Sequence, residues 1–266
     1  MSDIKNIRIG DRTPDKIYRC INQEPVEIKR IYRIIGNRPV IVWDIGSPEP
    51  PPAVNEFVLI TPTVESGGKY YVVIPALETT NNRRRGTIEW GDGSETVFWT
   101  DALYNHEYTE SGAKTVKIYA PIEYLYNSSA VGVFYQAQFD YIRFPDSLKI
   151  LGALAFNVCY RISEIDFNNV EEIQSRAFYN SMVYFPYEPY NHYVDIELSN
   201  VKYIRSQAFY GSPALQKAHI SDKIETIEAN AFYNCSHLTE ITIDKPYNSI
   251  SGAPWGATKA NITWRG

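Results

Sequence analysis

Few residues in this chain are of the types that do chemistry, and their spacing points away from catalysis. The four histidines, His106, His192, His219 and His237, are scattered, and none stands at a telling distance from a Cys or Asp. The sequence holds no H-E-x-x-H metal pair, no G-x-S-x-G nucleophile turn, no phosphate-binding glycine loop and no G-x-G-x-x-G. Cysteines number three, too odd a count for a disulfide framework. Cys159 and Cys235 lie far apart with no histidine at ligand spacing, which argues against zinc and for two small buried hydrophobes. For His219 and His237, near strand-like runs of neighbouring segments, exposed side chains compete with a zinc pair. Glu171-Glu172 and Asp244 read as solvated. Two carboxylates that cleave glycosides need not be neighbours in sequence, so a cell-wall or capsule glycan-degrading enzyme stays among the alternatives. The expectation is a non-enzyme with no catalytic residue, cofactor or metal.

Contact chemistry is better represented. Tyrosine, at 21, outnumbers leucine, at ten. Tyrosine offers a rigid amphipathic surface at low entropic cost, although β-rich chains favour aromatics anyway. The densest stretch, Tyr184-Phe-Pro-Tyr-Glu-Pro-Tyr-Asn-His-Tyr193, makes Tyr184, Tyr187, Tyr190, His192 and Tyr193 the candidate partner contacts. Stacking of sugar rings and docking of a protein are the two uses expected of it, and a loop folded back to plug its own repeat is the third reading. Pro186 and Pro189 restrict the loop, which lowers the entropy cost of binding.

That stretch interrupts a repeat. Ala-Phe pairs recur at 155/156, 177/178, 208/209 and 231/232, in steps of 22, 31 and 23, each followed by a strand-like apolar triplet. A period in the twenties marks a solenoid, in which stacking of units supplies the core. The long step contains the aromatic insertion. Ile150, Ala155, Phe156, Cys159, Ile162, Ile165 and Phe167, matched by Ile227, Ala231, Phe232, Cys235, Leu238, Ile241 and Ile243, resemble the BspA-type leucine-rich repeat of microbial surface and phage proteins. Ser181 stands where that pattern has Cys. The predicted architecture is one solenoid over 122–266, each repeat giving one short strand to a parallel sheet, with 122–147 forming an irregular first repeat that caps the array and the tail Ala253-Pro-Trp-Gly-Ala-Thr258, Asn261-Ile-Thr-Trp264 resembling the way such arrays end, as a C-terminal cap. Ile165, Ile196, Ile220 and Ile241 should lie side by side, and Phe156, Phe178, Phe209 and Phe232 should stack inside.

The rest of the chain must carry this array. Residues 1–47 hold nine Lys/Arg against six Asp/Glu. Ile4-Lys-Asn-Ile-Arg-Ile-Gly-Asp-Arg12 is echoed by Ile28-Lys-Arg-Ile-Tyr-Arg-Ile-Ile-Gly-Asn-Arg38, each a strand running into a turn signal, and Val40–Trp43 adds another strand. Such a piece is too small for a good core of its own and is expected to lean on a partner. Its words resemble short modules that open phage tail and appendage proteins, and Arg8, Arg12, Arg30, Arg33 and Trp43 are the candidate anchoring residues. Residues 48–52, mostly proline, read as a stiff linker. Residues 53–121 read as a small β-sandwich with strands at Tyr70–Ile74, Thr87–Trp90, Thr96–Trp99 and Thr115–Tyr119. There Trp90-Gly-Asp-Gly-Ser94, His106-x-Tyr108, Gly112 and Val116 resemble the polycystic-kidney-disease (PKD) type of immunoglobulin-like domain, which implies a structural, buried His106. Asp92-Gly93 alone reads as the two central residues of a hairpin turn with φ > 0.

The fold class predicted is therefore mainly β and multidomain: a small N-terminal β module, a PKD-like β-sandwich and a C-terminal leucine-rich-repeat solenoid with short parallel strands. A net charge of −5 gives no case for nucleic acid. No run approaches the ~20 apolar residues of a membrane helix, so no membrane insertion is expected. No apolar segment follows Met1, so no secretory signal is expected either. These readings converge on a structural and adhesive protein of a phage virion, made in the host cytoplasm. In that reading it docks on other virion proteins through its N-terminus, forms a homo-oligomer and presents its repeats to a host glycan or protein. A bacterial cell-surface adhesin is the alternative.

Overall fold

In a computed structural model of the chain, the described residues are 18–21, 24–27, 30–35, 38–44, 56–61, 70–77, 85–126, 133–182 and 193–266. They contain strands and turns and no α-helix. Met1–Ala53 and Val54–Gly266 are two separate compact units.

In the first unit, β1 (Tyr18–Ile21) pairs antiparallel with β2 (Glu24–Glu27), and β3 (Arg30–Ile35) with β4 (Arg38–Asp44). Arg30 and Arg33 lie on β3, opposite Asp44 and Val40, and Trp43 lies on β4 opposite Ile31. Arg8 and Arg12 fall outside the described residues, as does the linker 48–52.

The second unit begins with β5 (Glu56–Ile60), β6 (Tyr70–Ile74), β7 (Arg85–Glu89), β8 (Glu95–Trp99), β9 (Tyr104–Tyr108) and β10 (Thr115–Tyr119). Strands β5, β10, β7 and β8 form one antiparallel sheet and β6 and β9 a second. Phe57, Leu59, Ile74, Ile88, Trp90, Phe98, Val116 and Ile118 are buried with these strands. Asp92-Gly93 is not a two-residue turn. Trp90 to Ser94 close a longer loop through a Trp90 N–H to Ser94 carbonyl bond of 3.0 Å, and positive φ falls on Gly91 and Gly93.

The solenoid adds two parallel strands per repeat where the sequence suggested one. A narrow sheet runs through β11 (Tyr124–Leu125), β13 (Ile150–Leu151), β15 (Glu172–Ile173), β17 (Tyr203–Ile204) and β19 (Thr226–Ile227). Each two-residue strand buries one side chain, namely Leu125, Leu151, Ile173, Ile204 and Ile227. The other strands are β12 (Tyr141–Arg143), β14 (Glu164–Asp166), β16 (Val194–Leu198), β18 (Leu215–Ile220), β20 (Glu240–Ile243) and β21 (Asn261–Trp264). The last four make a wide parallel sheet. There Ala218 lies between Ile196 and Ile241, whereas Ile220 lies between Leu198 and Ile243. The expected isoleucine row was thus misaligned by two residues at β18, which keeps the same inward face in a period of two.

Ile165 belongs elsewhere. Its strand β14 pairs with β12, and β12 pairs antiparallel with β5, so that Ile142 faces Leu59. Within the segment 122–147, strand β12 continues the sheet of the sandwich, so this end of the array is closed by β5 and presents no exposed edge there. The cores join as well, with the Phe57 ring set edge-on against Phe134 at 5.7 Å.

Phe134 opens the internal column. Ring centroids step 5.0 Å to Phe156, 5.2 Å to Phe178, 5.3 Å to Phe209 and 5.4 Å to Phe232, all near parallel and fully enclosed. The extra residues between Phe178 and Phe209 leave that step unchanged, so the insertion adds length without disturbing the stack. Beside the column runs a second, polar one. Cys159 donates through Sγ to the Phe134 carbonyl, Ser181 through Oγ to that of Phe156, Ser212 to that of Phe178 and Cys235 to that of Phe209. Serine at 181 thus performs the same task as cysteine, a short donor that satisfies a buried carbonyl. Burial raises both thiol pKa values, that of Cys235 to about 12, so these cysteines are unreactive packing groups.

Candidate functional site

The solenoid has two sheet faces and a side made of turns, and on the turn side aromatic side chains emerge as a stacked row. The turns are 153–158, 175–180, 206–211, 229–234 and 251–256. Each places its second and sixth residues at positive φ: Leu154 and Val158, Arg176 and Asn180, Gln207 and Gly211, Asn230 and Asn234, Gly252 and Gly256. Asn and Gly tolerate that region best, and they fill most of these places. With the backbone so fixed, the fourth residue of the middle turns points inward as the column Phe, and the fifth points outward as Tyr179, Tyr210 and Tyr233. Those three rings stack at 4.9 Å and 5.3 Å, with interplanar angles of 10° and 21°. The exposed edge of the ladder grows toward Tyr233, which is 47% exposed. The Arg176 guanidinium lies over the Tyr179 ring at 5.6 Å and donates to Gln207 Oε1.

Charge separates this side from the sheets. Across those five turns Arg176 is the single residue charged at neutral pH, and the remainder are Ser, Asn, Gln, aromatic and small or apolar residues. On the narrow sheet Lys202 bridges to Glu171 at 2.7 Å, and Arg205 reaches both Glu172 and Glu228. Glu171-Glu172, expected to be merely solvated, is thus tied across repeats. Lys202 holds the Glu171 carboxyl below the usual range.

The wide sheet carries a histidine cluster. His219 Nδ1 meets Glu197 and its Nε2 meets Asp244, each at 2.8 Å. Both ring nitrogens are thus engaged by carboxylates. His237 is no counterpart to it: Thr242 is the residue beside His219, and His237 Nδ1 lies 2.7 Å from the Pro213 carbonyl. Partial burial disfavours the charged imidazole of His219, but the bonds and charges of Glu197 and Asp244 outweigh it and raise its pKa. A raised folded-state pKa means that the clamp stabilises fully below the ordinary value of about 6.5 and is lost as pH rises through the higher folded value. The melting-temperature gap between wild type and His219→Gln should therefore shrink from pH 6 to pH 8.5, and a gap that widens would contradict the assignment.

The sandwich holds a Ser, a His and an Asp together, but not as a nucleophilic triad. Asp92 Oδ2 lies 2.7 Å from His106 Nε2, and Ser94 Oγ lies 3.5 Å from the same nitrogen. A base must join its acid and its nucleophile through opposite ring nitrogens. Here the half-buried imidazole is stacked on Trp90 at 4.7 Å and set edge-on to Tyr108 at 4.6 Å, and the buried Tyr108 hydroxyl donates to the Trp90 carbonyl at 2.6 Å. Burial works against the Asp92 carboxylate, yet bonds from Ser94 and His106 hold its pKa well below the usual range. The cluster ties loop 90–94 to β9.

Of the contact residues expected from sequence, Tyr184, Tyr187, Tyr190 and His192 fall outside the described residues. Tyr193 is 41% exposed, its ring 5.3 Å from that of His237. The ladder was overlooked, although its signal is plain: tyrosine follows Ala-Phe in three repeats.

A family model described as BspA type leucine rich repeat region matches residues 109–186 and 190–259, in six copies and over more than half of the chain. No curated protein and no solved structure matches it. The matched range starts directly after β9 and takes in β10, in keeping with a sheet that passes from sandwich to repeats without a break.

Proposed function

The chain belongs to the BspA-type leucine-rich-repeat family, and from that premise we propose a non-catalytic adhesive protein that holds its partner along the tyrosine side of the solenoid. Repeats of this type suggest a surface, adhesin-like binding role. The observation that carries the location is the stacked Tyr179–Tyr210–Tyr233 ladder, borne on turns that contain no carboxylate residue of their own. Rigid tyrosines contribute contact area with little entropy to lose.

The finer reading places the protein on a phage particle, with residues 1–47 docking on other virion proteins and the PKD-like sandwich spacing the repeats outward. Two-stranded hairpins are marginal alone in water, and the pairs β1–β2 and β3–β4 invite completion by another chain or a symmetry mate. Full-length protein on fluorescent beads should be retained by intact bacteria of a host panel, and joint replacement of Tyr179, Tyr210 and Tyr233 by serine should release it. Unchanged retention of that variant would remove the ladder from the account. A chain starting at Ala53 should still adhere but fail to enter the particle; normal incorporation would move the anchor elsewhere.

A further inference from the structure

The two ends of the solenoid differ. At one, β12 is paired to β5. At the other, β21 pairs with β20 over Asn261–Trp264 without a bulge, and among the described residues no strand pairs with its far edge. Edge strands are ordinarily blunted by a bulge, a proline or a lysine, and Asn261-Ile-Thr-Trp264 holds none of these. The Asn261 and Arg265 N–H groups donate to the Thr239 and Ile243 carbonyls, both at 2.8 Å. Alternate residues of such a strand bond to the same neighbour, so Ile262 and Trp264, one step out of phase, turn their N–H and C=O groups to the far edge. Their side chains stand in register with Ile241 and Ile243, which are fully buried, yet both are only half-buried. The Trp264 ring lies 6.2 Å from that of Trp255 and 6.3 Å from that of Tyr247, which is 80% exposed. The last rung of the wide sheet thus carries core-type side chains at a free edge.

We infer that this edge joins a second copy of the chain, β21 pairing antiparallel with its symmetry mate about a two-fold axis at Thr263. The dimer goes beyond the adhesive reading and does not depend on it. Reversal about Thr263 sets Ile262 opposite the partner's Trp264, and Trp264 opposite the partner's Ile262. These are the residues whose backbone groups face the edge, so each pair exchanges both bonds, as hydrogen-bonded antiparallel pairs do. Thr263 meets its own copy at the position between them, a favourable threonine pair. On the inner face, isoleucine against indole joins the two cores. On the outer face Asn261 lies beside Glu240, and the reversal brings the partner's Arg265 opposite Asn261, one strand away from that carboxylate. No like charges are opposed across the axis. This self-match favours a second copy over an unrelated strand, because an isologous interface needs one surface that complements itself. Tryptophan and arginine are also residues on which interfaces concentrate their binding energy. A dimer of this kind carries two tyrosine ladders, and adhesion through both gains by avidity.

Sedimentation equilibrium of the full-length protein over a micromolar dilution series should show reversible self-association. Thr263→Lys sets like charges opposite each other at the axis and should raise the dissociation constant about tenfold or more. Thr263→Glu should do the same. An equimolar mixture of the two variants should associate again, because the axis then pairs lysine with glutamate. Recovery on mixing also shows that the single variants are folded. Thr263→Cys should give a disulfide-linked dimer on mild oxidation, since this kind of pair holds its Cα atoms about 4.5 Å apart, within disulfide reach. Wild type and Asn261→Cys, oxidised beside it, should not link. A monomeric wild type, self-association unchanged by Thr263→Lys, a mixture that stays apart, or Asn261→Cys linking as readily as Thr263→Cys overturns the proposal.

Discussion

Phe209→Ala is expected to destabilise the second unit by about 3–5 kcal/mol, the range for emptying a fully buried phenylalanine site. Phe209 is stacked between Phe178 and Phe232 and touched edge-on by Phe167. Its neighbours cannot close the gap, because their backbones are pinned by the bonds from Phe178 N–H to the Ala208 carbonyl and from Phe209 N–H to that of Ala231. A loss of that size is a large share of the stability of an ordinary domain. Since β12 continues the sandwich sheet through β5, the damage should not stay local, and Trp90 fluorescence and far-ultraviolet circular dichroism should report one shared denaturation midpoint, shifted together. A penalty below about 1 kcal/mol, or separate midpoints, would mean that the column is not a continuous core.

The second large effect concerns the polar column. Ser181→Val should cost about 1–3 kcal/mol, the penalty for leaving a buried acceptor without its donor. Ser181 is fully buried, donates to the Phe156 carbonyl and accepts from the Cys159 N–H at 3.2 Å, so the change strands a group on each side. Ser181→Cys should be tolerated far better, because Cys159 and Cys235 show that a thiol fits the same place. Denaturant titration of the two variants decides it: equal penalties would mean that volume, and not the hydrogen bond, rules this position.

How much of this was legible in the sequence follows from which signals are periodic. The inward phenylalanines were readable because Ala-Phe recurs in register and a fully enclosed ring needs the same residue each time. The narrow sheet was not, since a two-residue strand with one buried side chain shows no alternation; Ile150-Leu151 looks the same as any apolar pair. Strand β9, read as Tyr-Asn-His-Glu-Tyr, hides for the opposite reason: its polar residues are there to tie Asp92 and to stack on Trp90. The isoleucine row failed at β18, where Ala218 takes the inward place that isoleucine holds in its neighbours. Asn180, Gly211, Asn230 and Asn234 suit the left-handed positions they occupy, but Leu154 and Val158 adopt the same conformation against their preference, carried by the repeat around them. The tyrosine ladder was written in Ala-Phe-Tyr and passed over in favour of the denser insertion. Its meaning depends on turns stacking in register, which spacing alone leaves open.

The most direct test of the adhesive reading is hydroxyl-radical footprinting of the protein bound to the cells that retain it, read by mass spectrometry against the unbound protein. Tyr179, Tyr210 and Tyr233 should lose reactivity on binding, while Tyr247, which is 80% exposed, and the sheet-face residues around His219 should keep theirs. Protection of the wide sheet with an unchanged tyrosine ladder would contradict the account and move the binding surface to the opposite chemistry.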